Sequence, residues 1–239
     1  SAWAMLNVQG PRARHLLSSI STAKFDNEAF PYATWQNVEI GFQTALCMRL
    51  SYTGEVGFEL YIPTEMALPV YDQLIAAGAD FGLAHCGYHT LNTLRVEKAF
   101  REWAHDMGPV DSLLDAGLGF TCAWHKPGGF IGRDALLAQR DAGPLKRRLV
   151  QFLLDDPQPV LVHNEPILRD GVRIGQTTSA GYGHTLGASV AMGYLECAEG
   201  VTPEFVAAGS YRIEQANRVY GARASLTPMY DPKHERAMG

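Results

Sequence analysis

Glu59 and Arg95 are the two side chains of this 239-residue sequence whose settings most invite chemistry. Around the first, Phe58, Leu60 and Ile62 alternate with Glu59 and Tyr61. Successive side chains of a β-strand point to opposite faces, so if the apolar set faces a core, Glu59 and Tyr61 face the other way. A carboxylate there meets water or lines a cleft. Its two oxygens can accept in one plane, which suits a heterocycle with adjacent N–H donors, such as the 2-amino-4-oxopyrimidine half of a pterin. The same alternation also describes an ordinary solvent-facing glutamate, and on pattern alone that is the commoner case. Arg95 lies four residues after Leu91 and beside Leu94, at or inside the apolar stripe of a helix. A cation there needs a carboxylate, a carbonyl or an anionic ligand, and an internal salt bridge answers as well as a ligand does. Glu97 and Arg101 have the i, i+4 spacing of a surface ion pair worth about 0.3 kcal/mol.

The remaining constellations are weaker. His85 and His89, with Cys86 between them, could hold a metal only on a helix and with a third ligand; Gly87 interrupts the segment and no third ligand is suggested. No metal site is expected. His105 with Asp106, and His125 beside Trp124 and Lys126, read as surface or loop features. Gly181-Tyr182-Gly183 is not a dinucleotide loop, because that fingerprint needs a βαβ unit and the flanks here look like strands. No P-loop, G-x-S-x-G elbow or H-E-x-x-H motif occurs.

Several elements must position these groups. Residues 3–9 predict a strand that runs into a helix over 11–19, with Pro11 suited to the first turn. Phe25 to Trp35 reads as irregular. Ala45–Pro63 carries the clearest β pattern, a hairpin or bulged ribbon around Gly54 and Gly57. Helices are predicted over 65–79, with Gly78 as a stop, and over 88–103. Beyond Asp141-Ala142-Gly143-Pro144 short strands dominate: 148–154, 166–169, 172–179, 189–195, 210–215 and 221–227, with Asp170-Gly171 as a tight turn. Such a series suggests an antiparallel sandwich or barrel. The expected architecture is α+β over 1–143, followed by a β-domain over 144–239.

Composition narrows the function classes. A net charge of −5 argues against nucleic acid as a partner, since phosphate binding needs a basic face. No apolar run approaches the ~20 residues of a membrane-spanning helix, and no membrane partner is expected. Four scattered cysteines suggest free thiols in a reducing compartment. The opening AWAMLNVQG reads as a strand already in mid-course, so a longer parent polypeptide is expected.

Longer motifs carry a resemblance. RLSYTGEVGFELYIP (49–63) resembles the signature hairpin of the glycine-cleavage aminomethyltransferases. GYHTLNTLRVEKAFREW (87–103) is similar to the same family's helix with a Leu-Arg-(aliphatic)-Glu core, and FIGRDAL (130–136) and IGQTTSAGYGHTLGASVAMGYL (174–195) to its later landmarks. NEAFP (27–31), LDAGLGFTC (114–122), LKRRLV (145–150) and YDPKHERAMG (230–239) resemble the sarcosine and dimethylglycine dehydrogenase branch, the sarcosine enzyme in particular. Val56 stands where the glycine-cleavage enzymes usually have an acidic residue, which favours that branch. His184-Thr185-Leu186 lacks the proline of the glycine-cleavage version.

The resemblance implies a folate-binding aminomethyltransferase-like α+β region, incomplete at its N-terminal side, followed by a C-terminal antiparallel β-barrel. It implies tetrahydrofolate as cofactor, with Glu59 on the pterin ring, Tyr52 lining the pocket and Arg95 helping to hold the cofactor. The parent would be an oxidoreductase whose FAD is bound by an N-terminal domain outside this chain. The family's catalytic aspartate is likewise expected outside it, so the chain alone is expected to be inactive. The parent would oxidise an N-methyl amine such as sarcosine and capture the carbon as 5,10-methylenetetrahydrofolate. The expected location is cytoplasmic, or the mitochondrial matrix in a eukaryote. A stand-alone aminomethyltransferase and a non-catalytic interaction domain that has lost folate binding are the alternatives.

Overall fold

The computed structural model describes residues 2–239. In chain order the elements are β1 (Trp3–Gln9), α1 (Ala13–Ile20), β2 (Trp35–Ile40), β3 (Gln43–Met48), β4 (Gly57–Pro63), α2 (Ala67–Gly78), α3 (Tyr88–Glu97), α4 (Arg133–Asp141), β5 (Arg147–Leu154), β6 (Pro166–Arg169), β7 (Val172–Gly183), β8 (Ala188–Glu196), α5 (Pro203–Ala208), β9 (Tyr211–Gln215), β10 (Arg218–Ser225) and α6 (Glu235–Met238). They form two compact units: the residues up to Leu94 with Asp231–Gly239, and Arg95–Tyr230. The composition change near 143/144 falls just ahead of β5.

In the first unit, period-two alternation builds an antiparallel sheet in the order β1-β4-β3-β2. One face buries Val38, Cys47, Phe58, Leu60 and Ile62 against Leu16 and Leu17 of α1 and Val70 and Leu74 of α2. Each large side chain withdrawn from water in this way contributes about 1.5–3 kcal/mol. Phe25 meets Phe58 edge-on with ring centroids 5.4 Å apart, so part of the stretch read as irregular is core. Strand β2 was not expected, although Val38 and Ile40 alternate with Asn37 and Glu39. A Cβ at Gly57 would lie 2.4 Å from the Leu50 carbonyl oxygen, a close approach that only glycine permits.

Two helix ends differ in form or place from expectation. Helix α2 does end at Gly78, but the chain does not leave there: it continues through a 3₁₀ turn over Ala79–Phe81 that the left-handed Gly82 closes. Helix α3 ends at Glu97 rather than near 103. There Phe100 N–H bonds the Arg95 carbonyl and Ala99 N–H that of Val96, with Ala99 at φ +55°. This is the paired-bond helix ending usually built on glycine, here held by alanine against a steric cost of roughly 1 kcal/mol.

In the second unit, β5 to β10 close into an antiparallel barrel in the order β10-β5-β8-β7-β6-β9. Asp170-Gly171 joins β6 to β7 as its sequence predicts, with Arg169 opposite Val172. The barrel is filled by Val150, Phe152, Ile167, Leu195 and Ile213, among others. Gly181-Tyr182-Gly183 lies within β7, paired with Val190, Ser189 and Ala188 of β8, which is incompatible with a strand-to-helix phosphate loop. Helix α5, absent from the sequence reading, starts at Thr202, whose hydroxyl accepts the Phe205 N–H.

Candidate functional site

Glu59 lies on the face of the first sheet opposite its core. Phe58, Leu60 and Ile62 are fully buried, while Glu59 and Tyr61 are half-buried. Across the strands Glu59 pairs with Asn7 on one side and Met48 on the other, and Met48 pairs with Trp35. The next row is Met5, Tyr61, Leu46 and Asn37. Trp3, Met5 and Trp35 are each more than half exposed, at 56%, 51% and 63%. Exposed Trp3, Met5 and Trp35, with Asn7 and Asn37 among them, thus surround one carboxylate.

The Tyr61 hydroxyl donates to Glu59 Oε2 at 2.7 Å. That hydrogen bond to a carboxylate is the main reason the Tyr61 phenol is held above its ordinary pKa, with burial and the Glu59 charge adding to it. Tyr61 therefore stays a donor at neutral pH. A carboxylate offers about four acceptor positions, so Glu59 can still receive donors in its own plane. Tyr52, half-buried, rides on the loop between β3 and β4. That loop is shaped from within and from β1: Gly54 N–H bonds Ser51 Oγ at 3.1 Å, Thr53 Oγ1 donates to Gln9 Oε1, and Gly10 N–H bonds the Val56 carbonyl.

Arg95 has a different setting, in the second unit. Its guanidinium is 2% exposed and donates to Glu102 Oε2 at 2.7 Å, Ser179 Oγ at 2.8 Å and the Phe100 carbonyl at 3.2 Å, besides its ion pair with Asp106. Asp106, read from sequence as a surface or loop residue, is fully buried. Its carboxylate also receives Thr178 Oγ1 and the Glu102 N–H. A carboxylate is tolerated there because every donor that desolvation strips away is replaced.

The Glu97–Arg101 pair is not formed. With α3 ending at Glu97, the glutamate turns inward and its Oε1 accepts the N–H groups of Thr185 and Leu186 at 2.8 and 2.9 Å. A Cβ at Gly183 would lie 2.9 Å from the same oxygen. Arg101 donates instead to the carbonyls of Ala116 and Ala99. His85 and His89 do not share a helix, because α3 begins at Tyr88; His85 Nε2 pairs with the Tyr71 hydroxyl at 2.8 Å. The four cysteines are free thiols. Among the described residues no helix is long and apolar enough to cross a membrane.

Sequence reasoning missed the surroundings of Glu59. Asn7, Met48 and Trp35 reach its row only through the register of three strands. The two-residue alternation of WQNVEI was the available signal for Trp35.

Comparison with known proteins fits this architecture. The GCVT N-terminal domain model matches residues 1–126, and the model of the glycine cleavage T-protein C-terminal barrel domain matches residues 147–231. The chain belongs to the glycine cleavage T-protein family. As a T-protein family member it is 44% identical, over its whole length and 28% of the relative's, to a 4-methylaminobutanoate oxidase (formaldehyde-forming) of Paenarthrobacter nicotinovorans. It is 40% identical, over 98% of its length and 26% of the relative's, to human mitochondrial sarcosine dehydrogenase. The chain thus spans about a quarter of the length of these relatives. A crystal structure of glycine cleavage system aminomethyltransferase T from Bartonella henselae shares the fold, with TM-score 0.78 and 24% identity over 99% of this chain and 61% of that one. The expected α+β region followed by an antiparallel barrel is what this chain has.

Proposed function

We propose that this chain is the tetrahydrofolate-binding region of a flavin-dependent sarcosine dehydrogenase-like enzyme, and that it captures the oxidised one-carbon unit as 5,10-methylenetetrahydrofolate. The observation that carries the reading is Glu59: a half-buried carboxylate, oriented by Tyr61, flanked across the strands by Asn7 and Met48 on a sheet face that also presents Met5 and Trp35. A flat heteroaromatic ring needs that combination, apolar surface for its plane and an acceptor pair for its edge donors. Glu59 holds the pterin edge and Tyr52 lines the pocket. Arg95, which the family resemblance gives a part in holding the cofactor, is committed to Asp106 and Glu102, so the reading gives it a positioning part rather than direct contact. The boundary between the folate-binding and barrel domains is placed at 143/144, a reading supported by the gap between the two family models.

In this reading one folate nitrogen would add to the iminium carbon supplied by the flavin domain of the same polypeptide, and the second folate nitrogen would then displace the demethylated amine, which leaves with a proton. FAD, bound outside this chain, supplies the oxidation. This chain's residues contribute proximity and orientation, and the proton is handled by a group outside the chain. The enzyme would act in the cytoplasm, or in the mitochondrial matrix of a eukaryote.

A second reading has a specific observation behind it: the relative at 44% identity is named as forming formaldehyde, so the parent could release the carbon instead. One experiment separates the two. The full-length protein turns over an N-methyl amine with tetrahydrofolate present and a formaldehyde-scavenging enzyme in excess. Direct capture predicts methylenetetrahydrofolate despite the scavenger; complete diversion of the carbon to the scavenger contradicts it. Failure of the intact parent to bind a reduced folate would favour a non-catalytic domain.

A further inference from the structure

The segment Asp231–Gly239 returns to the first unit, and its contacts converge on one place. His234 sets its ring edge-on to Tyr32, with centroids 5.3 Å apart, and the Tyr32 phenol takes a backbone hydrogen bond from Ser51. Arg236 reaches Glu55 at 3.7 Å. A Cβ at Gly239 would lie 3.2 Å from Val56 Cγ2. Ser51, Glu55 and Val56 belong to the loop that carries Tyr52.

The loop is also anchored at its root. Arg49, 1% exposed, donates to the carbonyls of Phe30 and Met238. Burial holds this guanidinium below its usual pKa, and the charge of Arg14 adds to the effect. A second chain of bonds runs from Arg14 through Asn27 to the Gly239 carbonyl, at 2.7 and 2.6 Å. The segment in turn is rigid locally. The Asp231 carboxylate accepts the N–H groups of Glu235 and Arg236 at 2.9 and 3.2 Å, and so fixes the start of the short helix α6.

We infer that Asp231–Gly239 is a strap that sets the conformation of the Ser51–Val56 loop, with His234 and Arg236 as positioning residues for Tyr52. The physical ground is that the strap fixes the loop near Ser51, at Glu55 and at Val56 from outside the β3–β4 connection, in addition to the bonds the loop makes to Gln9 and Gly10. Each tether added to a loop lowers its locally open population. A preformed loop also spares a ligand the ordering entropy it would otherwise supply. The ligand-binding half of this inference rests on the folate reading above; the loop-ordering half does not.

The test uses the full-length protein with Arg236→Gln, Arg236→Lys and the double variant His234→Ala/Arg236→Gln. Amide hydrogen exchange is read at residues 51–56, and affinity for 5-formyltetrahydrofolate, a stable reduced folate, is read by titration. The double variant is expected to speed exchange in the loop roughly fivefold, the scale of one exposed ion pair plus one ring contact. The β1–β4 ladder should stay as protected as before. Folate affinity should fall by a similar factor with little change in kcat, and Arg236→Lys should recover most of both. Unchanged exchange over 51–56 in the double variant would overturn the strap. A wild-type protein that binds no reduced folate, yet shows faster loop exchange in the variant, would leave the strap standing and sink the folate reading instead.

Discussion

Glu59 and Arg95 drew attention in the sequence for the same reason, a charge beside an apolar pattern, and the structure gives them opposite settings. Arg95 is enclosed, with Asp106, Glu102, Ser179 and a carbonyl taking its donors. Glu59 lies on an open sheet face with Tyr61 as its hydrogen-bond partner and large apolar side chains exposed around it. The difference separates a charge enclosed by its partners from one that solvent still reaches. A buried ion is tolerated only when its partners replace water. A half-exposed carboxylate keeps water as a partner, and can exchange it for a ligand's N–H groups.

If that distinction is right, the largest stability effect belongs to Arg95. Arg95→Met leaves Asp106 charged and buried without its cation, which should cost about 3–5 kcal/mol; chemical denaturation of the full-length protein checks it. A loss under ~1 kcal/mol would mean that Arg95 is not structurally committed, and would bring it back as a direct ligand contact. Next comes Glu97→Gln, expected to cost about 2 kcal/mol because two backbone N–H groups lose a charged acceptor. Guanidinium midpoints measured for the two variants should preserve that order.

A third effect is read through pH. Burial, with the Asp111 charge adding to it, pushes the Tyr194 phenol up to about 12, against about 10 in an unfolded chain. The native state therefore holds this proton more tightly. Its contribution is fully present below pH 10 and is lost as pH rises from about 10 to 12, on the order of 2 kcal/mol in all. Tyr194→Phe should make the alkaline fall of stability shallower, and an unchanged slope would contradict the assignment. The smallest effect is chemical. Burial pushes the Cys47 thiol up to about 12, so a maleimide added at pH 7.5 should label the exposed Cys86 and spare Cys47 until the protein is denatured.

What could be read in advance follows the range of the interactions. Glu59 was legible because strand alternation is local: its face follows from Phe58, Leu60 and Ile62 alone. The barrel strands were legible for the same reason, through short runs and the Asp170-Gly171 turn. Arg95 was legible as a problem but not as a solution. Its partners Glu102 and Asp106 lie beyond a left-handed Ala99, and nothing in the composition of VEKAFREW announces that an alanine will end the helix. The same ending undid the expected Glu97–Arg101 pair. Asp106 beside His105 looked like a loop because burial of a carboxylate depends on donors that arrive from Thr178 and Arg95, far apart in the chain. The surroundings of Glu59 needed the register of β1, β3 and β2 before they could be seen.

The most direct measurement is a reduced-folate titration of the full-length protein beside its Glu59→Gln variant, with thermal midpoints recorded for both. Loss of the charged acceptor should weaken binding by about tenfold or more, the scale of one charge-assisted hydrogen bond. The midpoints should agree to within the ~0.5 kcal/mol expected of a surface change. Equal folate affinity in two equally stable proteins would contradict the account at its centre.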